Sequence, residues 1–258
     1  MILTIDVGNT NTVIGGFDDD KLVFESRIAT NHGRMEDEYA ITLADILKLY
    51  GRTPSEIGGS ILSSVVPPVT AQLKSAVKKV CGCRVLTVGP GIKTGLNIKI
   101  DEPASLGADL AAVAVGAKEL YPLPAIVIDM GTATKILAVD KSGAFIGGII
   151  APGVKISNEA LFAQTASLPL ISISTAPIKT VIGTNTVDCM RSGLLYGAAF
   201  MVDGMIEHFE REIGEKCTRI ATGGFSSIIK PLCKKEFILD TSLIMKGLLE
   251  IYKKNTIG

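Results

Sequence analysis

The sequence predicts an α/β chain of two lobes, each a mixed β-sheet with helices. Three observations predict it. First, Ile5-Asp6-Val7-Gly8-Asn9-Thr10-Asn11-Thr12-Val13-Ile14 returns in degenerate form as Ile128-Asp129-Met130-Gly131-Thr132-Ala133-Thr134-Lys135-Ile136-Leu137. In both copies an apolar run ends in Asp, a small polar turn follows, and a second apolar run begins. The two Asp residues lie 123 positions apart (129 − 6), and internal repetition of this kind is the first feature to weigh. Second, the elements read as three strands, helix, strand, helix, strand, helix, and then the same order again. Third, Pro122 and Pro124 punctuate the middle of the chain, which divides it into lobes 1–121 and 122–258. Ligands of such sheets gather at strand ends, so a cleft between the lobes is the expected site.

In the first lobe, Ile2–Val7, Thr12–Phe17 and Lys21–Ile28 read as an antiparallel meander, with Asp18-Asp19-Asp20 as a turn. Glu36–Tyr50 has helical spacing and stops at Gly51. Ser60–Val65 is a buried strand broken by Pro67-Pro68, Val69–Val80 a helix, and Arg84–Val88 a short strand. Gly89–Glu102 is a loop, and Ser105–Leu120 a strongly apolar helix. The second lobe repeats the meander with Ala125–Asp129, Thr134–Val139 and Ala144–Ile150, and Lys141-Ser142-Gly143 makes a hairpin turn. Gly153–Phe162 is helical, Leu168–Gly183 irregular with Pro169 and Pro177, and Thr186–Glu212 a helix of about 40 Å. Thr218–Ala221 and Phe237–Asp240 are strands, and Ser242–Lys253 is the closing helix.

The chain has 26 basic and 26 acidic residues and a pI near 6.7. That balance gives no support to nucleic acid or an anionic membrane as main partner. No apolar run reaches the roughly 18 residues of a membrane span, and Met1 leads straight into a strand without a basic leader. Five scattered cysteines and only two histidines argue against a zinc site and fit a reducing cytoplasm. Apolar content of 47% and mean hydropathy of +0.39 point to a large core plus a subunit interface. The apolar faces of Ser105–Leu120 and Thr186–Glu212 predict an isologous homodimer.

The repeated turn carries the chemistry. Asp6 ends a buried strand, where a carboxylate needs a cation, a donor or water. Gly8 admits a close backbone turn. Asn9, Thr10, Asn11 and Thr12 bring short polar side chains, and turn N–H groups of this kind cradle anions. A carboxylate beside a phosphate loop suits Mg²⁺ held partly through water. The plain alternative is an ordinary hairpin with a polar turn, which two Asp-x-Gly copies disfavour. No Walker A motif occurs, since Gly153 is followed by Val154. Asp109, just after Gly107, is either a helix cap or a base that accepts a hydroxyl proton. Asp129 is either a second metal ligand or a strand-end Asp meeting water. Thr222-Gly223-Gly224 is a flexible strand end suited to a flat ligand, or a plain turn. Asn185-Thr186 opens the long helix and reads equally as its N-cap.

These motifs resemble the acetate/sugar kinase–Hsp70–actin superfamily, and in detail the type III pantothenate kinases. Ser63-Ser64-Val65-Val66-Pro67, Gly89-Pro90-Gly91, Gly107-Ala108-Asp109, Gly148-x-x-x-Pro152-Gly153 and Gly183-x-Asn185-Thr186 extend the resemblance over nearly the whole chain. It implies two ribonuclease-H-like (actin-like) lobes with an ATP cleft between them. It implies ATP-dependent phosphorylation of pantothenate, the first step toward coenzyme A. Asp6, Gly8, Asn9, Thr10, Asn11, Thr12, Gly131, Thr132 and Gly223 would face ATP, with Mg²⁺ near Asp6. Asp109 would be the base, and Asp129 would hold a monovalent cation, K⁺ or NH₄⁺. Ile100, Gly107, Ala108, Leu110, Asn185 and Thr186 would surround pantothenate, in a pocket at a dimer interface. Three positions depart from the family pattern: Ile100 replaces Tyr, Leu110 replaces Arg, and Lys135 replaces Thr. The first two keep open a kinase for another small alcohol, or a non-catalytic nucleotide-binding accessory protein.

Overall fold

A computed structural model describes residues 1–173 and 180–256. The meander of the first unit is β1 (Ile2–Val7), β2 (Asn11–Asp18) and β3 (Lys21–Ala29). Asp19 takes the left-handed conformation at the β2–β3 turn (φ 48°), which Asp tolerates better than most residues. Then follow α1 (Glu36–Leu49), β4 (Gly59–Ser64), α2 (Pro67–Cys81) and β5 (Val85–Thr87). Pro67 and Pro68 begin α2 rather than merely ending β4. The first turn of a helix leaves its N–H groups without helical partners, so proline loses nothing there. The sheet order is β3-β2-β1-β4-β5, with β1 antiparallel to β2 and parallel to β4.

Alternation along the strands covers both faces of this sheet. Leu3, Ile5, Val7 and Leu62 pack with Tyr39, Leu43 and Leu47 of α1 and Leu73 of α2. Phe17 and Ile61 face the other way, toward Ala112, Met245 and Leu248. Neighbouring Ile61 and Leu62 are both fully buried on opposite faces, each contributing roughly 1.5–3 kcal/mol.

The loop after β5 contains a two-residue strand, β6 (Asn97–Ile98), that sequence periodicity missed. Helix α3 spans Ala108–Leu120 and is buried on every side from Ala111 to Ala117. Its start is later than the expected Ser105. Pro103–Ser105 forms a separate 3₁₀ turn, and Leu106 is extended (φ −63°, ψ 120°).

The second unit repeats the first. Its strands are β7 (Ala125–Met130), β8 (Ala133–Val139), β9 (Ala144–Pro152), β10 (Thr218–Thr222) and β11 (Ile238–Leu239). Its helices are α4 (Val154–Gln164), α5 (Thr186–Ile213) and the single-turn α6 (Ser226–Ile229). The order β9-β8-β7-β10-β11 matches β3-β2-β1-β4-β5, and β6 adds one strand beyond β9. Ile126, Ile128, Met130 and Ile136 pack against Met190, Leu194, Leu195 and Ala199 of α5. The irregular stretch expected over Leu168–Gly183 is seen at both ends, while 174–179, with Pro177, lie outside the described residues. Buried Asn158 of α4 anchors its first part, donating to the Ile171 carbonyl (2.7 Å) and accepting from the Ile171 N–H (3.3 Å).

The closing helix α7 (Leu243–Thr256) returns to the first unit. Compactness divides the chain differently from a cut at 121/122. One unit comprises Met1–Leu96, Asp101–Glu119 and Leu243–Gly258, the other Asn97–Ile100 and Leu120–Ser242. The physical reason is surface matching. Helix α7 buries Leu243, Met245, Leu248 and Ile251 on the face of the first sheet that α1 and α2 leave open. Backbone contact locks it there, since a Cβ at Gly247 would lie 1.9 Å from the Ala112 carbonyl of α3.

Candidate active site

In the first unit the β1–β2 turn is drawn tight by Gly8, whose N–H bonds to the Asn11 carbonyl (3.0 Å). Thr30, at the end of β3, then ties the turn down. Its hydroxyl donates to the Gly8 carbonyl (2.7 Å), and its N–H to the Thr10 carbonyl (3.0 Å). Two carbonyls that would repel an anion are thereby engaged. Buried Thr12 shares a hydroxyl–hydroxyl bond with Thr30 (2.9 Å), and Asn9 is exposed at the tip. Asp6 accepts a 2.6 Å bond from the Ser63 hydroxyl, its direct neighbour on β4. Ser63 and Thr30 are positioning residues that sequence reasoning did not assign. Ser63 stood in a quoted motif, but only strand register reveals its partner.

At the start of α3, Gly107, Ala108, Asp109 and Leu110 are contiguous. Asp109 lies in the first helical turn, and Ala111 N–H bonds to the Gly107 carbonyl (3.0 Å). A Cβ at Gly107 would lie 2.6 Å from Asp109 Oδ1 and 3.9 Å from Leu110 Cγ. The carboxylate therefore lies back against Gly107.

In the second unit the β7–β8 turn is one residue shorter than its counterpart. Met130 pairs with Thr134, where Val7 pairs with Thr12. Gly131 N–H bonds to the Ala133 carbonyl (3.1 Å). Two glycines press on this turn. A Cβ at Gly153 would meet the Thr132 carbonyl at 2.3 Å, and one at Gly223 (φ +87°) would meet Asp129 Oδ1 at 2.5 Å. Gly223 is thus held in the left-handed region against Asp129, with Phe225 N–H on the Met130 carbonyl (2.9 Å). Because the turn is short, Lys135 stands directly across from Asp129, with Nζ 3.4 Å from Oδ2.

The other residues named for the acceptor belong to this unit. Ile100 lies by β9, with its Cγ2 4.0 Å from where a Gly147 Cβ would be. Asn185 is the N-cap of α5, accepting from Asp188 N–H at 3.0 Å. Exposed Thr186 lines a cavity of about 570 Å³ with Pro152, Val154, Ser157 and Gly193. Lys99 is engaged by Asp140 (3.0 Å).

The donor sets decide what each turn can hold. Among the described residues no group of three or more His, Cys, Asp or Glu converges. That fits Mg²⁺ carried by phosphate oxygens and water with Asp6 alone, the usual arrangement for nucleotide-bound magnesium. It does not fit a mobile monovalent ion at Asp129, whose carboxylate already faces an ammonium.

A duplicated ribonuclease-H-like sheet, each copy ending its first strand in Asp beside a glycine turn, defines an actin-like ATPase and sugar-kinase fold. Solved structures of this kind superpose on the chain. Component A of (R)-2-hydroxyglutaryl-CoA dehydratase from Acidaminococcus fermentans matches with a TM-score of 0.60 at 15% identity, covering 100% of this chain and 99% of that one. The ROK hexokinase of Thermus thermophilus gives 0.50 at 11% identity, covering 100% and 99%. Sequence narrows the class. The model of the type III pantothenate kinase family matches residues 2–208. A type III pantothenate kinase of Halalkalibacterium halodurans is 45% identical over 99% of this chain and 100% of its own. One from Listeria monocytogenes is 41% identical over 99% and 98%. The chain belongs to the type III pantothenate kinase family.

Proposed function

We propose that the chain transfers the γ-phosphoryl group of ATP to the primary hydroxyl of pantothenate, giving 4′-phosphopantothenate for coenzyme A synthesis. The observation that carries the reading is Asp109, a carboxylate in the first turn of α3 that lies against Gly107, in a chain of this family. Phosphoryl transfer asks a protein mainly for positioning and charge, plus a base for the acceptor hydroxyl. Asp109 accepts that proton. The turn at Gly8–Thr12 in the first unit, and separately Thr132 in the second, carry short hydroxyls suited to phosphate oxygens. Asp6, oriented by Ser63, would hold magnesium. The strand end at Gly223, packed against the β7–β8 turn, would pass beside adenosine. Bound magnesium ATP supplies the transferable group.

The family resemblance asks for one positive charge at Asp129, from K⁺ or NH₄⁺. The Lys135 ammonium, 3.4 Å away, supports a charge there of the chain's own making. Exposed Phe162, Leu170, Ile182 and Phe200 on and beside α4 and α5 support a homodimer through this face, with Thr186 near the partner. Sedimentation at micromolar concentration tests it, and a monomer removes it. Five free cysteines support a reducing, cytoplasmic setting.

A second reading, a kinase for a different small alcohol, is favoured by Ile100 and Leu110. The experiment is incubation with ATP, Mg²⁺ and a panel of alcohols, with phosphorylated product detected by mass. Phosphopantothenate is expected. Product from another alcohol alone favours the second reading, and nucleotide binding with no product from any acceptor removes both.

A further inference from the structure

We infer that Lys135 is the site's built-in monovalent cation, a tethered ammonium that makes the nucleotide chemistry independent of potassium. The inference deepens the kinase reading above and rests on it.

The geometry is specific. Lys135 is the directly opposed cross-strand residue to Asp129, and opposed side chains on neighbouring strands interact closely. Nζ lies 3.4 Å from Oδ2, with both side chains only about one-fifth exposed (20% and 19%). Backbone crowds Oδ1 on one side, where a Cβ at Gly223 would lie 2.5 Å from it. Across β10 the neighbour is Thr222, a neutral residue. A potassium ion entering here would meet a like charge on the same carboxylate.

The first turn lacks this arrangement. Asp6 stands across from Val13 and is held by the neutral Ser63 hydroxyl. Position 12, which aligns with Lys135 in the repeat, is Thr, bonded to Thr30. Only the shortened second turn brings the aligned residue face to face with the carboxylate. Chemically, the lysine head presents what a free ammonium ion presents, three N–H donors and a unit charge. Tethered on β8, it acts at a high effective concentration that no dissolved ion matches.

The test is calorimetric titration with magnesium ADP in potassium chloride and in choline chloride at equal ionic strength, followed by ATP turnover in both salts. Wild type is expected to bind equally in both. Lys135→Thr is expected to bind about 10-fold or more weakly in choline and to recover in potassium, the size of an ordinary coupling between sites. Thallium-205 NMR should detect ion binding to that variant and none to wild type. Lys135→Arg keeps the charge and should remain indifferent to potassium whatever its absolute rate. Potassium-dependent binding by wild type, or a Lys135→Thr variant equally competent in both salts, overturns the inference. If Lys135→Thr does not fold, the wild-type salt response and Lys135→Arg decide. No binding of magnesium ADP in any salt removes the kinase reading, and this inference with it. Potassium-dependent binding by wild type removes the inference alone.

Discussion

The β1–β2 and β7–β8 turns share a backbone plan and differ in charge. Both close a hairpin behind a strand-end Asp, and both Asp residues pair with a hydroxyl residue on the parallel neighbour, Ser63 for Asp6 and Thr222 for Asp129. One deleted turn residue separates them. In the first copy the residue opposite Asp is Val13, in the second Lys135. A one-residue change of hairpin register moves each side chain to the opposite face. Duplication therefore preserved the fold while register reassigned the electrostatics. One carboxylate meets a neutral hydroxyl, and the other a lysine ammonium.

The comparison breaks most sharply at Asp6. Asp6→Asn should lower turnover about 10²- to 10³-fold, as removal of one preorganised electrostatic group does. Ser63→Ala should act in the same direction by about tenfold, the worth of one hydrogen bond to a charged group. Both are read from kcat at saturating ATP, with thermal melting as the control for folding. An equal loss in Asp129→Asn with potassium added would mean that the two turns are not electrically distinct.

Substitution at the acceptor side sharpens the contrast from outside the turns. Leu110 lacks the forked donors that suit a carboxylate, and Ile100 lacks a hydroxyl. Ile100→Tyr with Leu110→Arg should raise kcat/KM for pantothenate about 30-fold or more, as two regained polar contacts are worth roughly 2–5 kcal/mol. The Kd for ATP should not move. No gain would show that both positions are neutral.

The smallest effect lies at the Asp140–Gly143 turn between β8 and β9. Burial pushes the Asp140 carboxyl up. The Ser142 hydroxyl, the Ala144 and Ser142 N–H groups and Lys99 outweigh it and hold the group at about 2. A depressed carboxyl stabilises the fold above its unfolded value near 4 and loses that contribution as pH falls toward 2. Asp140→Asn should therefore narrow the melting-temperature difference between neutral and acid solution, while leaving the response of turnover to potassium as in wild type.

Much of this was legible in the residues. The repeated Asp-x-Gly stretch foretold two lobes that each open on a three-stranded meander, because alternation and turn chemistry are local. Asp109 before an apolar run foretold a carboxylate in a first helical turn. What stayed hidden depends on partners distant in the chain. Nothing in Leu243–Thr256 says which sheet its stripe will cover. Asn97–Ile98 is too short to show a period, and Ser63 meets Asp6 only through the parallel β1–β4 register. Lys135 reads as a departure from a motif until hairpin length sets it opposite Asp129.

The central claim is that a nucleotide-binding fold here serves a base, Asp109, acting on a hydroxyl. The direct measurement compares wild type with Asp109→Asn for magnesium ADP affinity and for phosphopantothenate formation. The account predicts unchanged affinity with turnover lowered about 10²- to 10⁴-fold, the usual worth of general-base catalysis. Normal turnover by Asp109→Asn would contradict it and leave Asp109 as a residue of the helix start alone.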